Sequence, residues 1–266
     1  MNAWGRTFAL ACAATQLVAG CRSAPTAIQV PPPGGRHVLF IGNSLTMAND
    51  LPATVAAIAA AAGDTMRVAT VAGPNLAAID HVNGLTNAVA TIRAGTWNFV
   101  VLQQGPTPAG VCRDTLILAA RRFDPYVRAA GGKLALFMTW PTSAGSSAFF
   151  DQVRDSFREA ADAVDGVFLP AGEAWRAAWV EDRSLPLYGP DGYHPSAMGS
   201  FLAALEIYER LSGRDARTLP AVAFSAGRPM TLPEATIRLL QAAAHKANAG
   251  AVGGSGGGGE ASVATC

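Results

Sequence analysis

Five short segments of the chain are almost continuously apolar. Strands that are half-exposed alternate between apolar and polar residues, whereas strands buried on both faces of a sheet are apolar throughout. The continuous pattern therefore predicts five buried strands. They are HVLFI (37–41), MRVATVA (66–72), FVVLQ (99–103), KLALFMTW (133–140) and GVFLP (166–170).

The segments between these strands are alanine-rich and have a helical pattern, as in LPATVAAIAAAAG and FFDQVRDSFREAADAVDG. Each is long enough for the crossover helix that two parallel strands require. Two further helices, SAMGSFLAALEIYERLSG and LPEATIRLLQAAAHKAN, follow the last strand. This order predicts one α/β domain over residues 37–247, with helices on both faces of a parallel sheet of about five strands. Ligands of such sheets bind at the carboxyl ends of the strands.

The two ends of the chain have a different composition from the predicted domain. Residues 1–20 have the layout of a secretory signal peptide, with a basic residue, an apolar run and then small residues. Residues 21–36 are predicted to be a proline- and glycine-rich linker, and residues 248–266 a flexible glycine-rich tail.

The residues Val18-Ala19-Gly20-Cys21 resemble the lipobox of bacterial lipoproteins, in which cleavage leaves a lipid-modified cysteine at the amino terminus. The alternative is an ordinary signal peptide that happens to meet a cysteine. On the first interpretation, a lipid on Cys21 anchors the exported protein to a membrane, at the outer membrane, in the periplasm or on the cell surface. Mass spectrometry of the native protein that finds Met1 intact, or cleavage elsewhere than before Cys21, contradicts this expectation.

Charge and cysteine content narrow the possible partners. Twenty Lys and Arg residues against nineteen Asp and Glu give a formal charge of +1, so no broad field draws the chain to nucleic acid. The four histidines lie far apart and no CxxC or HExxH spacing occurs, so a metal site is not expected. The number and spacing of the cysteines leave open whether Cys112 and Cys266 form a disulfide. We expect a monomer.

Polar residues stand at the predicted strand ends and in one late loop. They are Ser44, Gly73, Gln103, Gln104, Asp191 and His194. A serine hydroxyl becomes a good nucleophile only when a base takes its proton, and the base needs a carboxylate to fix its tautomer. His194 and Asp191, three residues apart in one loop, can fill these two roles for Ser44.

An acyl-transfer site also needs hydrogen-bond donors for the oxyanion. The backbone amides of Ser44 and Gly73 are predicted donors, together with the side-chain amide of Gln103 or Gln104. The alternation of side chains along a strand does not decide between the two glutamines.

FIGNSLT, the glycine at position 73 and DGYHPSAMG resemble the sequence blocks of the SGNH, or GDSL, hydrolase family over residues 37–213. The resemblance implies a flavodoxin-like α/β/α domain in which Ser44 is the nucleophile, His194 the base and Asp191 its partner. Two positions depart from the family pattern. Asn43 replaces an aspartate, and LQQGP lacks the asparagine of the third block. Related branches use a glutamine there, and because one of them reads VVLQ, Gln103 is favoured over Gln104.

Ser44 and His194 also have plainer interpretations. Ser44 is a suitable N-cap for the helix that begins near Leu51, although Asn49 and Asp50 lie closer to that helix and can cap it. His194 precedes a proline that can start a helix, but this does not account for Asp191.

Three more residues are candidates for lining the pocket: Asn75, His81 and Trp140. The better interpretation of His81 is a residue on a helix face. Trp140 ends the fourth strand, where an aromatic residue more often belongs to the core. Trp175 and Trp179, four residues apart on a short helix, are likewise expected to pack in the core.

These features favour a serine esterase that acts through an acyl-enzyme and needs no cofactor. For an exported protein, acetyl groups on polysaccharide or cell-wall sugars are the expected substrates, with lipid esters or thioesters as the alternative. A surface lipoprotein that binds a glycan or a protein on the same fold, without catalysis, is the competing function. A phosphate cradle at GNSLT, as in flavodoxins, leaves Asp191 and His194 unexplained.

Overall fold

We describe a computed structural model of the protein over residues 35–251, together with Met1. The predictions for the signal peptide, for Cys21, for nearly all of the linker and for residues 252–266 of the tail lie outside the described residues. No helix within the described range is long and apolar enough to cross a membrane. Cys112 is disulfide-bonded, and since every other cysteine lies outside that range, its pairing with Cys266 stays open.

The centre of the fold is a parallel sheet of five strands in the order β2-β1-β3-β4-β5. The pairing register aligns Ile41 of the central strand with Val71 on one side and Leu102 on the other. This is the strand order of flavodoxin-like folds, and the predicted fold class is confirmed. The strands are β1 (Arg36–Gly42), β2 (Met66–Ala72), β3 (Phe99–Leu102), β4 (Lys133–Phe137) and β5 (Val167–Leu169).

Helices flank the sheet in two groups, whose members pack against one another. One group is α2 (Leu51–Ala61), α7 (Ala171–Glu181), α8 (Ala197–Ser212) and α9 (Glu234–Ala251). The other is α3 (Ala78–Val82), α4 (Ala88–Ala94), α5 (Val111–Ala129) and α6 (Ser147–Asp162). The core lies between these layers and the sheet, where β1, β3 and β4 are almost wholly buried.

The strand β2 differs from the expectation of burial on both faces. It forms one edge of the sheet, and Arg67 and Thr70 within it are exposed. An edge strand has a neighbour on one side only, so it tolerates polar residues that a central strand excludes. The apolar run was sufficient to predict the strand but not its position in the sheet.

Several short elements were not predicted. They are α1 (Ser44–Met47), the helices α3 and α4, and a hairpin of β6 (Ala223–Ser225) and β7 (Arg228–Met230). The hairpin turns through Ala226 and Gly227, which both have positive φ (49° and 73°), as type I′ turns require. In addition, α9 continues to Ala251, past the end of the domain predicted at residue 247.

Candidate active site

Ser44 is the first residue of α1, immediately beyond the end of β1. The turn is held from the neighbouring strand by Gln103, whose Oε1 accepts hydrogen bonds from the Asn43 amide (2.9 Å) and the Thr46 hydroxyl (2.7 Å). A Cβ at Gly42 would approach that Oε1 to 2.4 Å, so only glycine fits between the strand and the glutamine. The Asn43 side chain caps α1 by accepting from the Leu45 amide.

Residues other than Ser44 cap the two helices that follow β1. The helix α2 is capped by Asp50, whose Oδ1 accepts from the Ala53 amide. Asn43 caps the shorter α1. Neither helix uses the Ser44 hydroxyl as its cap, so this hydroxyl is left to contact His194.

His194 lies between Ser44 and Asp191, as the sequence predicts. Its Nε2 is 2.9 Å from Ser44 Oγ, across 150 residues of chain, and its Nδ1 is 2.5 Å from Asp191 Oδ2. Asp191 Oδ1 accepts hydrogen bonds from the backbone amides of Tyr193 and His194, both at 3.0 Å. The three side chains thus form one hydrogen-bonded chain that ends at the serine hydroxyl.

The electrostatics of Asp191 fix the state of this chain. The hydrogen bond from the His194 ring, helped by the two backbone amides, lowers the pKa of Asp191 to about 2. The carboxylate is therefore ionised at neutral pH and accepts the Nδ1 proton of His194. With Nδ1 as the donor to this carboxylate, the neutral tautomer of the ring leaves Nε2 unprotonated and facing Ser44, which is the form that a general base needs.

The loop that carries His194 is tied to the body of the domain by hydrogen bonds to its backbone carbonyls. Trp140 Nε1 donates to the Tyr193 carbonyl (3.1 Å), and the Ser143 amide donates to the Gly192 carbonyl (2.7 Å). Asn49 Nδ2 donates to the Pro195 carbonyl (3.0 Å), which joins the turn after Ser44 directly to the loop of the base. These contacts matter because the His194 ring can accept the proton of Ser44 only while it is held close to that hydroxyl.

Two of the three candidate pocket residues do not line a pocket. Trp140 is 1% exposed and stacks on Trp175, with ring centroids 3.6 Å apart. It belongs to the core, and its hydrogen bond to Tyr193 supports the loop that carries His194. His81 is fully buried and lies in α3, so the favoured interpretation as a helix residue is confirmed and the alternative of pocket lining is wrong.

His81 instead supports the turn between β1 and Ser44. Its Nε2 is 3.0 Å from the Gly42 carbonyl oxygen, and its Nδ1 is 2.8 Å from Thr86 Oγ1. Because a carbonyl only accepts, Nε2 carries the proton and Nδ1 accepts from the threonine hydroxyl. Burial lowers the pKa of His81, which favours this neutral form.

The structure corrects two predictions about the oxyanion donors. Gln103 is fully buried, and its Nε2 donates to Asn43 Oδ1 at 2.9 Å, so it supports the turn and is not accessible to a substrate. The Gly73 amide donates to the Gly42 carbonyl at 3.2 Å, extending the pairing of β1 and β2. The Ser44 amide, in contrast, donates no hydrogen bond within the described part of the chain and stays a predicted donor.

Gln104 is the glutamine that faces a cleft. Its Oε1 accepts from the Ala78 amide (3.1 Å), which fixes the orientation of the carboxamide because a backbone amide only donates. The Nε2 group donates one proton to Thr107 Oγ1 (2.8 Å) and has a second to offer. Gln104 lines a cleft of about 230 Å³ together with Asn43, Tyr193 and the predicted Asn75. The residues that directly precede Ser44 and His194 in the chain therefore both border this cleft.

No side chain of this site forms a metal-binding group. Among the described residues, the one group of suitable ligands is Glu209, Asp215 and His245, on α8, α9 and the segment between them. His245 Nδ1 lies 2.8 Å from Glu209 Oε1 and 3.3 Å from Asp215 Oδ1. The three side chains thus bond to one another, and they tie α9 to α8.

Sequence reasoning did not find Thr107 or Tyr193, and it considered Asn49 only as a cap for α2, a role that Asp50 fills. Asn49 has a positive φ of 52°, which asparagine tolerates better than most residues, and this explains an asparagine in the turn after α1. Its contact with Pro195 joins residues 146 positions apart, and no local pattern reports such a contact. Tyr193 lies between Asp191 and His194 in the DGYHPSAMG segment. This position is the sequence signal that could have identified it as a residue of the site.

Comparison with known proteins agrees with this fold. No protein-family model and no curated protein matches the chain. A solved structure assigned as an SGNH hydrolase, from Slackia heliotrinireducens, is 25% identical over 67% of this chain and 100% of its own, with a TM-score of 0.58. A DUF4886 family protein from Bacteroides uniformis is 20% identical over 81% of this chain and 95% of its own, with a TM-score of 0.68.

A third similar structure is a catalytic mutant of Axe2, an acetylxylan esterase from Geobacillus stearothermophilus. It is 15% identical over 67% of this chain and 94% of its own, with a TM-score of 0.53. At this identity the likeness concerns the fold. The strand order, the FIGNSLT and DGYHPSAMG segments and the similarity to the Slackia protein agree with one another: the chain has the fold of the SGNH, or GDSL, hydrolases and is similar to members of that superfamily.

Proposed function

We propose that the protein is a serine esterase that removes short acyl groups, above all acetyl, from a carbohydrate. The observation that carries the proposal is the hydrogen-bonded chain from Ser44 through His194 to Asp191. A serine, a neutral imidazole and an ionised carboxylate in this order are the groups that acyl transfer needs.

The reaction proceeds in two balanced halves. Ser44 Oγ bonds to the ester carbonyl carbon while its proton passes to His194 Nε2, and the carbonyl oxygen becomes an oxyanion. Collapse of this intermediate breaks the carbon–oxygen bond to the alcohol, which leaves with the proton from Nε2. Water then attacks the acyl-enzyme, gives its proton to Nε2, and releases the acid as Ser44 takes the proton back.

The cleft bordered by Asn43 and Tyr193, the residues before Ser44 and His194, favours a short acyl group. Its volume of about 230 Å³ is below the usual range of about 300–1,000 Å³ for ligand pockets. Polar side chains, including Asn75, Gln104 and Thr107, contribute part of its wall. A long acyl chain gains from burial only against apolar surface. The acetylxylan esterase among the structures of similar fold is consistent with an acetylated glycan as substrate.

A series of p-nitrophenyl esters tests the acyl preference. We expect kcat/KM to be highest for acetate, to fall at butyrate and to be lost at octanoate, because the longer chains do not fit a cleft of about 230 Å³. An acetylated xylo-oligosaccharide in the same series reports on the alcohol. Higher activity on octanoate than on acetate would contradict the proposal and favour a lipid esterase.

The replacement of Gln104 by alanine tests the oxyanion assignment. We expect kcat to fall by a factor of about 10²–10³ with little change in KM, as is typical when one donor to an oxyanion is removed. The chain offers a matched comparison in Gln103→Ala, which loosens the Asn43 turn and is expected to lower the melting temperature. If Gln104→Ala leaves kcat unchanged in a stable protein, this residue is not the donor.

A further inference from the structure

A second pocket adjoins the catalytic loop, which carries Asp191 and His194, and it shares no lining residue with the cleft. It has a volume of about 450 Å³ and lies between the loop after β4 and the segment 179–188 that leads from α7 to the catalytic loop. Its lining includes the side chains of Ser143, Ser147, Arg176, Trp179, Arg183 and Tyr188. We call this the aromatic pocket.

The aromatic pocket is close to the reacting groups. The Ser143 amide donates to the Gly192 carbonyl at 2.7 Å, two residues before His194. Tyr188 pairs across the loop with Pro195, the residue after His194. In the sheet, β4 is two strands from β1, which at the usual strand spacing is about 10 Å. The pocket therefore lies at the carboxyl edge of the sheet, within reach of a molecule whose ester is bound at Ser44.

The aromatic residues of this pocket offer ring surface rather than polar atoms. Trp179 Nε1 donates to the Leu185 carbonyl at 3.1 Å, and the Tyr188 hydroxyl donates to the Pro141 carbonyl at 2.7 Å. Burial raises the pKa of Tyr188 to about 12, so the hydroxyl keeps this proton. Both rings are partly exposed.

Hydrogen-bonding groups border the same rings. Arg183 is exposed and forms no ion pair within residues 35–251. Ser143 and Ser147 are exposed as well, and neither hydroxyl is used in a hydrogen bond inside that range. Arg176 is held in place by Asp151 (2.7 Å) and Glu173 (3.2 Å). The pocket thus combines an apolar ring surface with free donors and hydroxyls at its edge.

This combination matches the surface of a sugar. A pyranose ring has an apolar C–H face that packs on aromatic rings, and hydroxyl groups around its edge that bond to arginine and serine. A lipid chain would desolvate the Arg183 guanidinium without giving it a partner, which is costly. We propose that the aromatic pocket binds a sugar unit of the substrate next to the unit that carries the ester. This inference rests on the proposed function, since it assigns the alcohol side of the same reaction.

The test measures glycan binding apart from catalysis. In the Ser44→Ala background, binding of xylo-, cello- and chito-oligosaccharides is measured by calorimetry, with Arg183→Ala and the space-filling Ser147→Trp added separately. Arg121→Ala is the matched control, since Arg121 is an exposed arginine on α5. We expect at least one oligosaccharide to bind, and each pocket variant to weaken that binding at least fivefold while the control does not.

A second measurement compares two substrates in the protein with Ser44 intact. We expect the ratio of kcat/KM for an acetylated oligosaccharide to kcat/KM for p-nitrophenyl acetate to fall at least fivefold in Arg183→Ala. Binding that is absent for all three glycans, or equal in the variants and the control, overturns the inference. A protein that binds the glycan in this pocket but hydrolyses no ester would instead overturn the proposed function and leave the binding site in place.

Discussion

Replacing Ser44 with alanine is expected to lower kcat for p-nitrophenyl acetate by a factor of roughly 10⁴–10⁶, the range for loss of a nucleophile in serine hydrolases. In the proposed reaction the hydroxyl oxygen of Ser44 bonds to the acyl carbon. No other serine contacts His194 Nε2 in the described range. The fold should be unaffected, because Asn43 and Asp50 cap the two adjacent helices. Initial rates and a thermal melt of both proteins check the prediction.

A double replacement sharpens this test. Residues that act as one catalytic unit are strongly non-additive, so Ser44→Ala combined with His194→Ala should be no slower than Ser44→Ala alone. If the double variant loses a further factor of 100 or so, the two residues contribute independently and do not form a nucleophile and its base.

Asparagine at position 191 is expected to be almost as damaging, with kcat lower by about 10⁴, as for the equivalent change in a serine protease. The reason lies in the contacts of Asp191. Its Oδ1 accepts from two backbone amides, so the asparagine oxygen takes that position and its Nδ2 faces His194 Nδ1. Nδ1 must then accept, which puts the proton on Nε2, and this nitrogen can no longer take the proton of Ser44.

The same replacement has a testable dependence on pH. The pKa of Asp191 is about 2, so the wild-type carboxylate stays ionised as the pH falls until it approaches that value. Loss of wild-type activity in mildly acidic buffer must then come from another group. Rates measured between pH 4 and pH 8 should show the Asp191→Asn defect across the whole range. A defect that disappears at low pH would mean that Asp191 titrates there.

Much of the fold follows from the sequence because buried parallel strands and crossover helices leave strong patterns. The residues 66–72 were predicted with the boundaries that the structure has. The run KLALFMTW was predicted as a strand to Trp140, whereas β4 ends at Phe137. Met138 and Trp140 are buried in the core outside the strand, and burial alone does not distinguish a strand from the packed loop that follows it.

The candidate site was predictable where a chemical role demands a particular residue. Ser44, Asp191 and His194 lie in two segments whose spacing and order are specific. The supporting residues were not predictable in this way. Gln103 and Gln104 are adjacent and identical in chemistry, and only the folded chain determines that Gln103 supports the Asn43 turn while Gln104 faces the cleft. Likewise, the single-sequence pattern of His81 does not report that it bonds to the carbonyl of Gly42.

The most direct test of the proposed activity is covalent labelling of the native protein with a fluorophosphonate, followed by mass spectrometry of its peptides. The probe reacts with a serine whose proton is removed by a neighbouring base. We predict a single labelled site, Ser44, and loss of labelling in both Ser44→Ala and His194→Ala. A folded protein that is not labelled, or is labelled at another serine, would contradict the assignment of Ser44 as the nucleophile.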